Sequence, residues 1–138
     1  MPYLNLKIGA PRSALPPERA ASFLLEATRR ILGKDPALTA VAIDYVAPDQ
    51  WFVGGRSLAE QRKSSFYLDI RVTDETNTKD EKARYIAAVF EGFAGLLPDL
   101  HEESYVHVID ARAAAYGFGG KTQEFRYHRK SLEVSASS

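Results

Sequence analysis

The heptapeptide Pro2-Tyr3-Leu4-Asn5-Leu6-Lys7-Ile8 decides the fold of this chain, because its pattern recurs as Phe66-Tyr67-Leu68-Asp69-Ile70-Arg71-Val72, an offset of 64 residues. In both copies apolar residues alternate with polar ones, which is the period of a strand that buries one face. Proline occurs only in the first copy. The repeat predicts two equivalent β-strands, each at the start of one half of the chain.

Each predicted strand precedes an amphipathic helix. The first helix begins at Pro16-Pro17 and ends at Gly33, since proline opens helices and glycine closes them. The second begins at the capping box Thr78-Lys79-Asp80-Glu81 and stops before Pro98. The apolar positions predicted to face the core are Ala20, Phe23, Leu24, Ala27 and Ile31 in the first helix, and Ile86, Val89, Phe90, Phe93 and Leu97 in the second.

A further strand follows each helix, from Thr39 to Val46 and from Ser104 to Asp110, and the repeat continues to Gly54-Gly55 and Gly119-Gly120. Two pseudo-symmetric β-α-β units predict a small α+β fold, a two-layer sandwich. Its four-stranded sheet carries both helices on its apolar face.

The length of 138 residues fits a single domain spanning 1–138. Its repeat halves cover about 2–55 and 66–120, and 131–138 is predicted to be a flexible serine-rich tail.

The polar face of the predicted sheet has no helix left to cover it. That face must be solvated or shared with other subunits, and its mixture of aromatic and charged groups favours oligomerisation. The side chains predicted to lie on it are Tyr3, Asn5, Lys7, Tyr67, Asp69 and Arg71.

Composition excludes several classes of function. Eighteen basic and eighteen acidic residues leave no net charge, so the sequence does not favour binding to nucleic acid or an anionic membrane. Because cysteine is absent, disulfides, thiolate metal sites and cysteine nucleophiles are excluded. No membrane span or signal peptide is visible, which predicts a cytoplasmic protein. His101-Glu102-Glu103 is interpreted as a solvated turn, and we expect neither metal nor cofactor.

Several motifs follow one another in order between Pro2 and about Gly120. They are Pro2, Ala10-Pro11-Arg12-Ser13-Ala14-Leu15-Pro16, Ile31-Leu32-Gly33-Lys34, Pro48-Asp49-Gln50, Tyr105-Val106-His107, Asp110, Ala113-Ala114 and Gly117-Phe118. In these motifs the chain resembles the tautomerase superfamily, and within it the branch of macrophage migration inhibitory factor and D-dopachrome tautomerase. The resemblance implies a homotrimer whose sheets line a central barrel, with sites at subunit boundaries around an N-terminal proline.

Removal of Met1 would give Pro2 a free secondary amine, which can carry a proton as an amide nitrogen cannot. A keto–enol shift needs one group that takes a proton from the carbon beside a carbonyl and returns it at the neighbouring position. An apolar pocket and nearby cations would lower the pKa of such an amine toward neutral pH. We therefore expect Pro2 to act as base and acid on a small, phenylpyruvate-like 2-keto acid.

The resemblance implies roles for residues after the first predicted helix and in the second copy of the repeated strand. Lys34 matches the substrate-binding lysine of the family, although a lysine at a helix end is also favourable on dipole grounds. Ile70 falls where the family directs a backbone N–H at substrate. Arg71 is a possible second cation, or an ion-pair partner of Asp69.

The last strand and the segment after it supply the other candidates. Tyr105 and His107 match the Tyr and Asn positions that reach into the neighbouring subunit's site, and the histidine could hydrogen-bond substrate or be structural. Tyr116 and Phe118 form an aromatic rim, and Trp51 is a possible rim or interface residue.

Three functions stay open on the sequence. The first is keto–enol tautomerisation. The second uses a protonated Pro2 for hydration, dehalogenation or decarboxylation, and the third is a non-catalytic trimeric binding or signalling protein. The sequence does not separate the third from the first, because a binding pocket and a catalytic pocket would share these residues.

Overall fold

The computed structural model describes residues 2–128. The predicted tail over 131–138 lies outside the described residues. The strands are β1 (Tyr3–Gly9), β2 (Ala40–Val46), β3 (Phe52–Val53), β4 (Arg56–Ser57), β5 (Ser65–Thr73), β6 (Tyr105–Ala111), β7 (Gly117–Phe118) and β8 (Lys121–Thr122). The helices are α1 (Pro17–Leu32), α2 (Leu58–Gln61) and α3 (Lys79–Leu96), and residues 123–128 are also helical.

One mixed sheet in the order β2-β1-β5-β6 organises the molecule. The two copies of the heptapeptide, β1 and β5, pair antiparallel at its centre, and β2 and β6 flank them in parallel. Leu4 lies opposite Ile70 and Leu6 opposite Leu68, so each pair maps onto the other under the repeat. The sheet therefore has an internal pseudo-two-fold axis, which passes between Asn5 and Asp69. The predicted four-stranded α+β fold is confirmed.

The core lies between the sheet and α1 and α3. The alternating apolar residues of β1 and β5 are fully buried, as the period of two requires. They are Leu4, Leu6, Ile8, Phe66, Leu68, Ile70 and Val72. Phe66 packs its ring against Phe93 of α3 at a centroid distance of 4.4 Å, which joins the second central strand to its helix.

The buried stripe of α3 differs from the predicted one at its first position. Ile86 was predicted to face the core and is 40% exposed, whereas Tyr85 is fully buried. Tyr85, Val89, Phe93 and Leu97 follow a strict spacing of four. Tyr85 takes the inward position because its hydroxyl finds a partner there, the Thr28 hydroxyl of α1, at 2.9 Å. A buried phenol with such a partner satisfies both its apolar ring and its polar end.

The helix boundaries follow the predicted signals. Gly33 closes α1 in the left-handed conformation with φ 68°, and its N–H bonds to Arg29 O. Thr78 and Glu81 form both hydrogen bonds of the capping box at the start of α3. No helix within residues 2–128 has the length and apolar character that crossing a membrane would require.

Each repeat ends in a hairpin and a short helix, which the strand pattern did not predict. Gly54-Gly55 turn β3 into β4, and Gly119-Gly120 turn β7 into β8, all four with positive φ. Ser57 then accepts a hydrogen bond from Glu60 N, and Thr122 accepts one from Phe125 N. These matching N-caps start α2 and the 123–128 helix, so the internal repeat reaches beyond the predicted halves.

The buried contact between α1 and α3 gives a stability prediction. Thr28→Val keeps the shape of the side chain and leaves the buried Tyr85 hydroxyl without its partner, which should lower the free energy of unfolding by about 1–2 kcal/mol. Urea denaturation at fixed protein concentration measures the change. In the double variant Thr28→Val/Tyr85→Phe most of the loss should be recovered, because neither partner is then left unsatisfied. Additive losses would contradict the proposed coupling.

Candidate functional site

Pro2 lines a cavity of about 430 Å³ at one end of the sheet. The residue is buried, and its carbonyl accepts a hydrogen bond from Ala40 N (3.2 Å), which fixes it beside the start of β2. The cavity is lined by Pro2, Tyr3, Ala37, Leu38, Thr39, Ala40, Arg71, Tyr116, Gly117 and Phe118. The structure thus brings four predicted site residues together, namely Pro2, Arg71, Tyr116 and Phe118.

The apolar wall of this cavity is carried by the β7–β8 hairpin. Gly117 must be a glycine, because a Cβ there would lie 2.1 Å from the Lys121 carbonyl oxygen. The guanidinium of Arg126 stacks on the Phe118 ring, with its central carbon 3.7 Å from the ring centroid. Arg126 also donates through Nη2 to the Phe118 carbonyl (2.9 Å). Leu38 completes the wall from the opposite side.

Two polar side chains line the same cavity. Arg71 pairs in register with Tyr3, the residue after Pro2, and within residues 2–128 its side chain makes no hydrogen bond or ion pair. Burial raises the pKa of Tyr116, while a hydrogen bond from the Tyr3 backbone and the charge of Arg71 act in the opposite sense. Tyr116 is therefore a neutral phenol at neutral pH, next to a cation and to the backbone that follows Pro2.

Lys34 does not line this cavity. Its Nζ donates to the Thr76 hydroxyl (2.9 Å), in the turn between β5 and α3. Burial lowers the pKa of the Lys34 ammonium, and the nearby Glu81 carboxylate opposes part of that effect. Lys34 follows Gly33, which ends α1 in the left-handed conformation. The described contact of its ammonium is with the turn between β5 and α3, not with the lining of the Pro2 cavity.

Ile70, Tyr105 and His107 also lie outside the cavity. Ile70 is buried in a central strand between Leu4 and Val108, where the ladders on both sides use the backbone groups. Tyr105 and His107 project from the exposed face of the edge strand β6. The Tyr105 hydroxyl donates to Glu103.

Trp51 belongs to a second cavity, of about 470 Å³, which contains no residue of the first. The indole packs over Gly9, where a Cβ would lie 2.7 Å from the ring. The residues that line this second cavity are Asn5, Lys7, Val46, Gln50, Trp51, Tyr67 and Asp69. Trp51 therefore contributes to a different part of the polar face from Pro2.

The Pro2 cavity has the groups needed for proton transfer beside an anion. A free proline amine would supply a base, Arg71 a fixed positive charge, and Tyr116 a neutral hydroxyl. The apolar wall of Leu38 and Phe118 suits an aromatic or aliphatic substituent. Within residues 2–128 no group of three or more His, Asp or Glu side chains is arranged to hold a metal ion.

Comparison with known proteins identifies the family. No protein-family model matches the chain. The probable tautomerase K2 of Dickeya dadantii (strain 3937) is 34% identical over 68 residues, which cover 98% of that protein and 47% of this chain. The chain belongs to the tautomerase superfamily. Since that relative has about the length of one repeat, this superfamily member contains two units of that size in one chain.

Solved structures share the fold of this superfamily member. The symmetric trimer of a wild-type fused 4-OT covers 88% of the chain and 96% of its own at a TM-score of 0.72 and 17% identity. The macrophage migration inhibitory factor of Oncomelania hupensis covers 99% and 93% at a TM-score of 0.74 and 14% identity. A member of the cis-3-chloroacrylic acid dehalogenase family covers 98% of both chains at a TM-score of 0.71 and 18% identity.

Sequence reasoning missed two contributors to the site. Leu38 lies in a short turn before β2 and carries no periodicity that would mark it as a wall residue. Arg126 lies eight residues beyond Phe118, and its stacking depends on the hairpin and the helix that follow. The double-glycine turn at Gly119-Gly120 was the available signal for that hairpin.

Proposed function

We propose that this protein is a keto–enol tautomerase for a small 2-keto acid, with the amine of Pro2 as the proton carrier after removal of Met1. The observation that carries the proposal is that Pro2, Arg71 and Tyr116 line one cavity with an apolar wall. This combination suits a substrate with a carboxylate at one end and an apolar group at the other.

The proposed step moves one proton. The free amine of Pro2 takes a proton from C3 of the keto acid, and the C3–H electron pair forms the C2–C3 double bond of the enolate. The negative charge moves to the C2 oxygen, where the Tyr116 hydroxyl and the Arg71 cation stabilise it. Protonation of that oxygen by the Pro2 ammonium gives the enol and restores the amine. Ketonisation is the same sequence in reverse.

Arg71 is proposed to hold the substrate carboxylate in place of Lys34. A guanidinium can bind a carboxylate through two parallel hydrogen bonds, and no described group already occupies that of Arg71. Its charge also disfavours protonation of the neighbouring amine, as does the apolar wall. Leu38 and Phe118 would contact the substituent on C3.

Tautomerisation is better supported than hydration or dehalogenation. Those reactions need a group that activates water, and no carboxylate of residues 2–128 lines the Pro2 cavity. The discriminating experiment compares phenylenolpyruvate with 3-chloroacrylate as substrates of the protein lacking Met1. Ketonisation without chloride release would support the proposal, and the opposite result would contradict it.

We further predict that the protein is a homotrimer, as one fused 4-OT with this fold is. Large apolar side chains are exposed on the sheet face, the hairpins and the 123–128 helix, where a neighbouring subunit would cover them. They include Tyr3, Phe52, Tyr105, Phe118, Phe125 and Tyr127. Light scattering at micromolar concentration should give three times the chain mass.

The roles of Tyr105 and His107 depend on that assembly. Both lie on an edge strand and neither lines the Pro2 cavity of its own chain, so their proposed roles are at the site of a neighbouring subunit. A monomeric mass would contradict the trimer and remove the proposed roles of both residues.

A further inference from the structure

We propose that the cavity beside Trp51 is a second ligand site, which binds a small aromatic carboxylate without converting it. The site is separate from the Pro2 cavity and does not depend on the function proposed for it. Three observations support it, namely the internal symmetry, the lining residues and the identity of the residue that replaces Pro2.

The pseudo-two-fold axis relates the two cavities. The repeat places Lys7 where the other half has Arg71, and Tyr67 where it has Tyr3. In register, Lys7 lies opposite Tyr67 just as Arg71 lies opposite Tyr3. A cation beside a tyrosine therefore occurs at both ends of the polar face, and each pair lines one cavity.

The aromatic groups are also placed alike. Trp51 precedes the β3–β4 hairpin as Tyr116 precedes the β7–β8 hairpin, and each lines the cavity next to the corresponding cation. Gly9 lets the indole pack directly onto β1. The flat ring then forms one side of the second cavity, against which an aromatic ligand can stack.

The second cavity contains one cation that could bind an anion. Within residues 2–128 the Lys7 ammonium has no hydrogen bond or ion pair, so it is available to a carboxylate. The Asp69 carboxylate lines the same cavity and raises the pKa of the neighbouring Tyr67 hydroxyl. Its Oδ1 is shielded from solvent, lies 3.6 Å from His107 Nδ1 and has no hydrogen-bond partner among the described residues. The amides of Asn5 and Gln50 add neutral donors at the same cavity.

The second cavity lacks the group proposed as proton carrier in the first, because a different residue replaces Pro2. Its counterpart in the repeat is Phe66, whose side chain is fully buried against Phe93 and has no ionisable group. Phe66 is internal, so its nitrogen is an amide and cannot carry a proton. The second cavity retains the cation and the aromatic surface without the amine.

Trp51 makes the proposal directly testable, because it is the only tryptophan of the chain. Selectively excited tryptophan fluorescence of the full assembled protein would be titrated with 3-phenylpropionate, and with 3-phenylpropanamide as its uncharged match. We expect a saturable change with the carboxylate and at least about tenfold weaker binding of the amide. No change at millimolar carboxylate, or equal binding of both compounds, would overturn the proposal.

Two symmetry-related variants locate the binding. Lys7→Gln should weaken the carboxylate titration at least about tenfold, whereas Arg71→Gln should leave the Trp51 response within about twofold. The reverse pattern would place the bound carboxylate in the Pro2 cavity and overturn the second site. Fluorescence reports binding at Trp51 and not tautomerase activity. An inactive protein could still give the titration and an active one could lack it, so the failure of one proposal is distinguishable from the failure of the other.

Discussion

Replacing Pro2 with alanine is expected to slow ketonisation of phenylenolpyruvate by at least about tenfold, a barrier increase of roughly 1.4 kcal/mol. Alanine keeps an amine at the chain end but makes it primary and removes the ring. Pro2 is buried and its carbonyl accepts a hydrogen bond from Ala40 N, which would hold the proposed amine in one orientation at the cavity. A less constrained amine would lose orientation as well as basicity, and general acid–base groups contribute about 10²–10⁴ in rate.

The processing state of the chain has to be established alongside this measurement. A retained Met1 would turn the Pro2 nitrogen into an amide, so intact mass must confirm the loss of one methionine in both the parent and the variant. Circular dichroism and light scattering would confirm that fold and assembly are unchanged. Equal rates for correctly processed Pro2→Ala and parent would contradict the catalytic role and favour the binding or signalling alternative.

The fold could be predicted because its decisive signal is local and repeated. Two copies of one alternating strand, each followed by a helix, leave few possible arrangements for the sheet. In the structure the two copies, β1 and β5, pair with each other in a symmetric register. Helix caps such as Gly33 and Thr78 act within a few residues, so their sequence signals were sufficient. The last strand was predicted one residue too early, from Ser104 to Asp110, whereas β6 spans Tyr105–Ala111.

Features that depend on tertiary contacts were harder to predict. Tyr85 replaces Ile86 in the core because its hydroxyl meets Thr28, 57 residues earlier in the chain. Periodicity alone ranks isoleucine above tyrosine at such a position. Likewise, Tyr116 and Phe118 reach Pro2 because β6 ends level with the start of β1, on the far side of β5, and the chain after β6 then crosses to the Pro2 cavity. No local pattern specifies where that crossing ends.

The substrate anchor is the point on which the sequence and the structure differ most. On resemblance, Lys34 was the favoured cation and Arg71 the reserve. The structure places Arg71 at the Pro2 cavity and gives Lys34 a hydrogen bond to Thr76. Sequence spacing could not rank the two, because Lys34 follows α1 and Arg71 lies within β5, and which of these cations lines the Pro2 cavity depends on tertiary packing.

Arg71→Ala is therefore expected to lower kcat/KM for phenylenolpyruvate by about 10–100-fold, the loss of a hydrogen-bonded charge worth about 1.5–3 kcal/mol. If Arg71 binds only the carboxylate, KM rises and kcat is nearly unchanged; if it also stabilises the enolate, kcat falls too. The matched control is Lys34→Ala, which removes a cation that does not line the cavity and should change kcat/KM less than about threefold. A large rise in KM for Lys34→Ala, with Arg71→Ala like the parent, would assign the anchor to Lys34 instead. Since Lys34 does not line the Pro2 cavity of the single chain, that result would mean that the bound substrate extends beyond this cavity or that a neighbouring subunit completes the site.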